Sequence, residues 1–134
     1  MKLLLDTHIL LWAITDDPRL SEKARKLIQN PDNEIFYSIV SPWEVEINRL
    51  AHPDKMPIGG EALVKYCIES GYRRHTIREE HVFLLHTLRW EQAAPPHHDP
   101  FDRILICQCM ADDMLFITHD TRLSGYNEPC VLTV

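Results

Sequence analysis

The segment PPHHDPFDRILICQCMADDMLFITHD, residues 95–120, passes from a proline-rich acidic turn through a nearly all-apolar stretch into a short run that ends on an aspartate. Pro100 suits the first turn of a helix, where its missing N–H forfeits no bond, and the apolar run predicts a helix from Pro100 to about Asp112. MLFIT, residues 114–118, follows as a strand. Acidic residues thus stand at both ends of a hydrophobic unit. Either they cap the helix and keep it soluble, or they form the edge of a metal site, and the rest of the chain discriminates.

The alternation of short apolar strands with helices extends outward from this segment. KLLL at 2–5 reads as a buried strand, THILLWAI as a helix after Asp6, SEKARKLI as a polar helix with Ser21 as N-cap and Leu20 as staple, and EIFYS at 34–38 as a second strand. In SPWEVEINRL, Ser41 is placed to cap a helix with Pro42 at its first position, and Trp43, Ile47 and Leu50 make an i, i+4, i+7 stripe. Beyond the turn-rich HPDKMPIGG, EALVKYCIES predicts an amphipathic helix closed by Gly71, then RRHTI an extended piece. REEHVFLLHTLRW reads as a helix stopped by Pro95 and Pro96, and CVLTV as a last strand after a turn through Gly125. This order predicts an α/β fold, a mostly parallel sheet with helices on both faces. The 134 residues fit one compact domain, 1–134.

With 45% hydrophobic and 25% charged residues the chain is neither disordered nor membranous in composition. Its 14 basic and 20 acidic residues leave a net charge of -6, so no global positive field recruits nucleic acid, and any such contact depends on local basic patches or bound cations. MKLLLD is too short an apolar run for a signal peptide or a membrane span, which predicts a cytoplasmic protein. The four cysteines form no C-x-x-C pair and sit in apolar runs, as reduced core thiols do. Cys107 and Cys109, two apart on a helix, point to nearly opposite faces and cannot share a metal with His97 and His98.

In an open parallel sheet the ligand crevice lies beyond the carboxyl ends of the strands. Asp6 follows the first strand, Glu44 stands in the first turn of the helix after the second, and Asp120 lies two residues past MLFIT. Asp102 opens the helix that feeds that strand and must run antiparallel to it, so it too reaches the carboxyl edge. Each acid has a local alternative: Glu44 completes S-x-x-E, a capping-box pattern, and Asp102 sits in a first turn where it complements the helix dipole. The set has none, because unneutralised carboxylates repel and push one another toward protonation, whereas hard cations such as Mg²⁺ or Mn²⁺ take such oxygens as ligands. Two such ions roughly 3.5–4 Å apart would clamp both the attacking and leaving oxygens of a phosphodiester, which implies phosphodiester hydrolysis. Asp112 and Asp113, at the far end of their helix, read as solvated turn residues.

LLDTHILLW, SPWE, HHDPFDRILICQC and ITHDTRL, in this order and at these separations, resemble the blocks of the PIN domain, specifically of the VapC-type toxins of toxin–antitoxin pairs. The resemblance implies a three-layer α/β/α sandwich, a Mg²⁺- or Mn²⁺-dependent ribonuclease, a homodimer and a cognate antitoxin that silences it. Asp6, Glu44, Asp102 and Asp120 match the four metal-binding acids, Asp99 an accessory acid that also suits the helix cap, and Thr7 and Thr118 hydroxyls that orient the acids. Asn48 stands where such toxins often carry a Lys. Arg103, Arg122, His119, Arg73 and Arg74 are candidates for contact with the RNA backbone. Trp12 and Trp43 belong either to the core or to a groove for an antitoxin helix. The competing functions are a catalytically idle binding module of the same fold and a phosphatase with Asp6 as nucleophile.

Overall fold

A computed structural model describes residues 1–90 and 97–134. Its centre is a five-stranded sheet, all parallel, built from β1 (Lys2–Leu5), β2 (Glu34–Ser38), β3 (Arg73–His75), β4 (Leu115–Thr118) and β5 (Val131–Thr133) in the order β3-β2-β1-β4-β5. The helices are α1 (Thr7–Thr15), α2 (Glu22–Gln29), α3 (Val40–Ala51), α4 (Gly60–Glu69), α5 (Glu79–Phe83) and α6 (Pro100–Asp112), with 3₁₀ turns at Leu84–Thr87 and Thr121–Tyr126. Strand polarity of period two divides the core. Leu3, Leu5, Ile35, Tyr37 and Ile117 face a layer with Ile9, Leu10, Trp12 and Leu63, while Leu4 and Phe116 face Leu105, Ile106 and Leu123. Both faces are covered, as an all-parallel sheet requires. Strand order reverses between β1 and β4, and in such sheets a crevice opens at that point beyond the carboxyl ends.

Several local expectations hold. Ser21 accepts from Ala24 N (3.1 Å), Gly71 closes α4 at φ 83, and all four cysteines are free. The double-proline stop lies outside the described residues.

The start of the SPWE helix does not hold. The helix begins at Val40, behind Ile39, with no side-chain cap, so Ser41 lies inside it and Pro42 occupies its third position, still within the turn where N–H groups lack helical partners. The Trp43, Ile47, Leu50 stripe points outward, 55%, 44% and 82% exposed, while Val40, Ser41, Glu44 and Val45 face in. Trp12 is in the core; Trp43 is not, and meets only the edge of Phe101 at 4.9 Å between centroids in the ring contacts observed.

The helix expected over residues 78–90 is short and passes into a 3₁₀ turn, where His86 Nδ1 lies 2.6 Å from the Phe83 carbonyl oxygen and Thr87 Oγ1 donates to that of Leu84 (2.7 Å). Side-chain bonds to nearby carbonyls compete with the helical ladder in this way. Asp112 is not a solvated turn residue. Its carboxylate meets His75 Nε2 (2.6 Å), His81 Nε2 (2.7 Å) and the Arg78 guanidinium, tying α6 to β3 and α5. Asp113, in the left-handed region at φ 55, is exposed and ends the helix.

Candidate metal centre

Asp6 leaves β1 and caps α1. Its Oδ1 accepts from Thr7 N (2.7 Å) and its Oδ2 from Thr118 Oγ1 (2.7 Å). Thr118 is the last residue of the neighbouring strand β4, and its hydroxyl also accepts from Asp120 N at 3.1 Å, so one threonine sets both acids. On the other side Thr7 Oγ1 donates to Glu44 Oε1 (2.7 Å) and lies 2.9 Å from Ser41 Oγ. The threonine has one proton and gives it to Glu44, so Ser41 must donate to Thr7. Ser41 and Glu44 therefore do not form a capping box. Their side chains turn inward and hold one another through Thr7.

Asp99 caps α6, accepting from Phe101 N (2.8 Å) and Asp102 N (3.2 Å) through Oδ1. Asp102 lies buried in the first turn and, among the described residues, accepts no hydrogen bond at its carboxylate. Asp6, Glu44, Asp99, Asp102 and Asp120 line one cavity of about 340 Å³, joined by His8, His119, Thr121 and Arg122. The topology brings together all five acids named from the sequence.

The basic candidates fare differently. Arg122 lies at the cavity but grips Asp120, with Nε to Oδ1 at 3.1 Å and Nη2 to Oδ2 at 2.8 Å. His119 is exposed at the rim, edge-on to Trp12 at 4.6 Å. Arg103 turns away to the Leu85 carbonyl (3.3 Å) and the Tyr126 ring, Arg74 bonds Tyr37 Oη (3.0 Å), and Arg73 pairs with Glu34.

Burial dominates the electrostatics. Desolvation, reinforced by the charges of Asp6, Asp99, Glu44 and Asp120, pushes the Asp102 carboxyl up to about 8. Burial raises Glu44 to about 7 against the bond from Thr7, and it raises Asp6 despite the bond from Thr118. Asp120 is held below the usual range by Arg122. An all-oxygen, partly desolvated cluster that resists full ionisation fits a hard divalent cation, whose charge replaces the protons.

In the sequence His97 stands out only as a partner for the cysteines. It is buried behind the cavity lining, with Nε2 3.1 Å from Asp102 Oδ2. The signal available was its position, two residues before the Asp99 cap.

The profile of the PIN domain matches residues 3–129. No curated protein matches significantly. Among solved structures, the chain resembles one in VapBC2 from Rickettsia felis bound to a DNA fragment from their promoter, with TM-score 0.67, 18% identity and coverage of 100% of this chain and 98% of that one. VapBC-1 from nontypeable Haemophilus influenzae gives 0.66 at 16% identity over 99% and 98%, and a toxin–antitoxin complex from Klebsiella pneumoniae 0.62 at 19% over 98% and 96%. Strand order, acids at the carboxyl edge and a profile match over nearly the whole length agree, and the chain belongs to the PIN domain family.

Proposed function

We propose that this protein is a VapC-type toxin, a Mg²⁺- or Mn²⁺-dependent endoribonuclease that acts in the cytoplasm as a homodimer and is silenced by a cognate antitoxin. The observation that carries the reading is the convergence of Asp6, Glu44, Asp99, Asp102 and Asp120 on one cavity, with Asp6, Glu44 and Asp102 held above their ordinary pKa values by burial. The VapBC complexes among the structural neighbours support the toxin and antitoxin part of it.

Asp6, Glu44, Asp102 and Asp120 would hold the cation, with Asp99 as an accessory acid, and Thr7 and Thr118 fix the carboxylates of Glu44 and Asp6 through hydrogen bonds. A divalent cation bound there would supply a charge to acidify an attacking water and to stabilise the leaving 3′-oxygen. Arg122 and His119 stand at the mouth, where a phosphate competes with Asp120 for the guanidinium.

The test is cleavage of a mixed cellular RNA pool with Mg²⁺ or Mn²⁺, beside an EDTA control and the Asp120→Asn variant. Metal-dependent cutting that the variant loses supports the nuclease. Cutting that persists in EDTA, or in the variant at wild-type rate, removes the metal mechanism.

A further inference from the structure

Two groups among the described residues combine histidine with carboxylate closely enough to share an ion: His75, His81 and Asp112, and His97, Asp102 and Asp120. Hydrogen bonding separates them. His81 Nδ1 accepts from Arg78 N (2.9 Å), so the neutral ring carries its proton on Nε2 and donates it to Asp112, which also receives Arg78. That group is a closed structural network, with no lone pair to offer from His81.

His97 has the opposite tautomer. The Tyr126 hydroxyl donates its one proton to the His97 carbonyl oxygen at 2.8 Å. Its 2.9 Å contact with His97 Nδ1 must therefore take the proton from the ring. Nδ1 carries hydrogen, and Nε2 of the neutral imidazole presents a bare lone pair.

That nitrogen is sealed from solvent and, with Asp102 ionised, has no hydrogen-bond partner among the described residues, although Asp102 Oδ2 lies 3.1 Å away; a proton on Asp102 fills the gap, and a cation would take that proton's place. An orphaned buried nitrogen beside carboxylates demands an explanation, and an ion is one that satisfies every group present. The ring is also held in place. Trp90 stacks on it at 6.4 Å between centroids and 23°, and the Tyr126 ring stands edge-on at 5.7 Å and 87°. Gly125 makes room for this arrangement, since a Cβ there would fall 2.4 Å from the Trp90 ring. A histidine whose distal nitrogen is anchored and whose other nitrogen is bare has the form of a metal ligand.

We infer that His97 supplies an Nε2 ligand, beside Asp102 and Asp120, to the cation of the acidic cavity, and so biases the centre toward manganese-like transition cations over magnesium. This inference rests on the reading of that cavity as a metal centre.

Pulsed electron paramagnetic resonance of the Mn²⁺-loaded wild-type protein tests it without any variant, because a directly ligated imidazole gives a ¹⁴N modulation. The expected result is that modulation, lost in His97→Ala, together with a Mn²⁺ affinity lowered roughly tenfold or more in the variant. The Mg²⁺ affinity is expected to change by less than about threefold, since Mg²⁺ favours oxygen ligands. Bound Mn²⁺ without ¹⁴N modulation in wild type, or with modulation unchanged in a folded His97→Ala protein, overturns the ligand and leaves the acidic centre standing. No Mn²⁺ binding by the wild type overturns both.

Discussion

Thr118 shows how much one side chain organises. Its hydroxyl donates to Asp6 Oδ2 and accepts from Asp120 N, and so couples the carboxyl ends of β1 and β4. Valine has the same shape without the hydroxyl. Thr118→Val leaves buried polar groups without their partner, which costs about 1–3 kcal/mol of stability. It should also lower Mn²⁺ affinity on the order of tenfold, the usual scale for a lost partner of a metal ligand. Calorimetric titration and thermal melting measure the two effects separately, and an unchanged affinity would show that Asp6 needs no such orientation. Residues of this kind were partly legible in the chain. Thr7 adjoins Asp6 and Thr118 lies two residues before Asp120, but the role of Ser41 depends on α3 starting at Val40.

At the scale of the element, the apolar residues of α3 and α6 have opposite meanings. In α6 the central apolar residues Ile104, Leu105, Ile106, Cys107 and Cys109 are all buried, because the helix lies on one face of the sheet and packs with α5 and the 3₁₀ turns. In α3 the most conspicuous apolar stripe faces outward and the acid-bearing face inward. The difference predicts opposite responses to substitution. Leu105→Ala should destabilise by about 2–5 kcal/mol through the cavity it leaves. Leu50→Glu should stay within about 0.5 kcal/mol, as surface changes do. Denaturant unfolding of both variants checks this, and a large loss in Leu50→Glu would mean that the α3 stripe is covered in solution.

For the molecule as a whole, the acidic cavity sets function against stability. Asp102 titrates near 8 when folded against an ordinary 3.8, and Glu44 near 7 against 4.5. Between about pH 4 and 8 the native state therefore binds more protons than the unfolded chain, so the contribution of these groups is fully present below pH 4 and lost as pH rises through their folded values. Metal-free protein should melt at progressively lower temperature over that range. Asp102→Asn should remove much of the slope and raise the metal-free melting temperature at pH 7.5 by on the order of 10 °C, with the two proteins converging near pH 4. Scanning calorimetry in EDTA at several pH values decides it, and a variant that melts below wild type throughout would show that Asp102 is not under electrostatic strain. The sequence by itself determined the strand and helix alternation, the parallel sheet and the edge at which the acids meet. Those follow from period-two and helical patterning and from the handedness of crossovers, which are local or topological rules. Only the tertiary structure decided which face of α3 turns inward, that Asp112 is a half-buried anchor, that Arg103 turns from the cavity, and that His97 Nε2 stands beside Asp102. Each of these depends on contacts between residues far apart in the chain, and a pattern within one segment contains no information about the partner that claims a side chain.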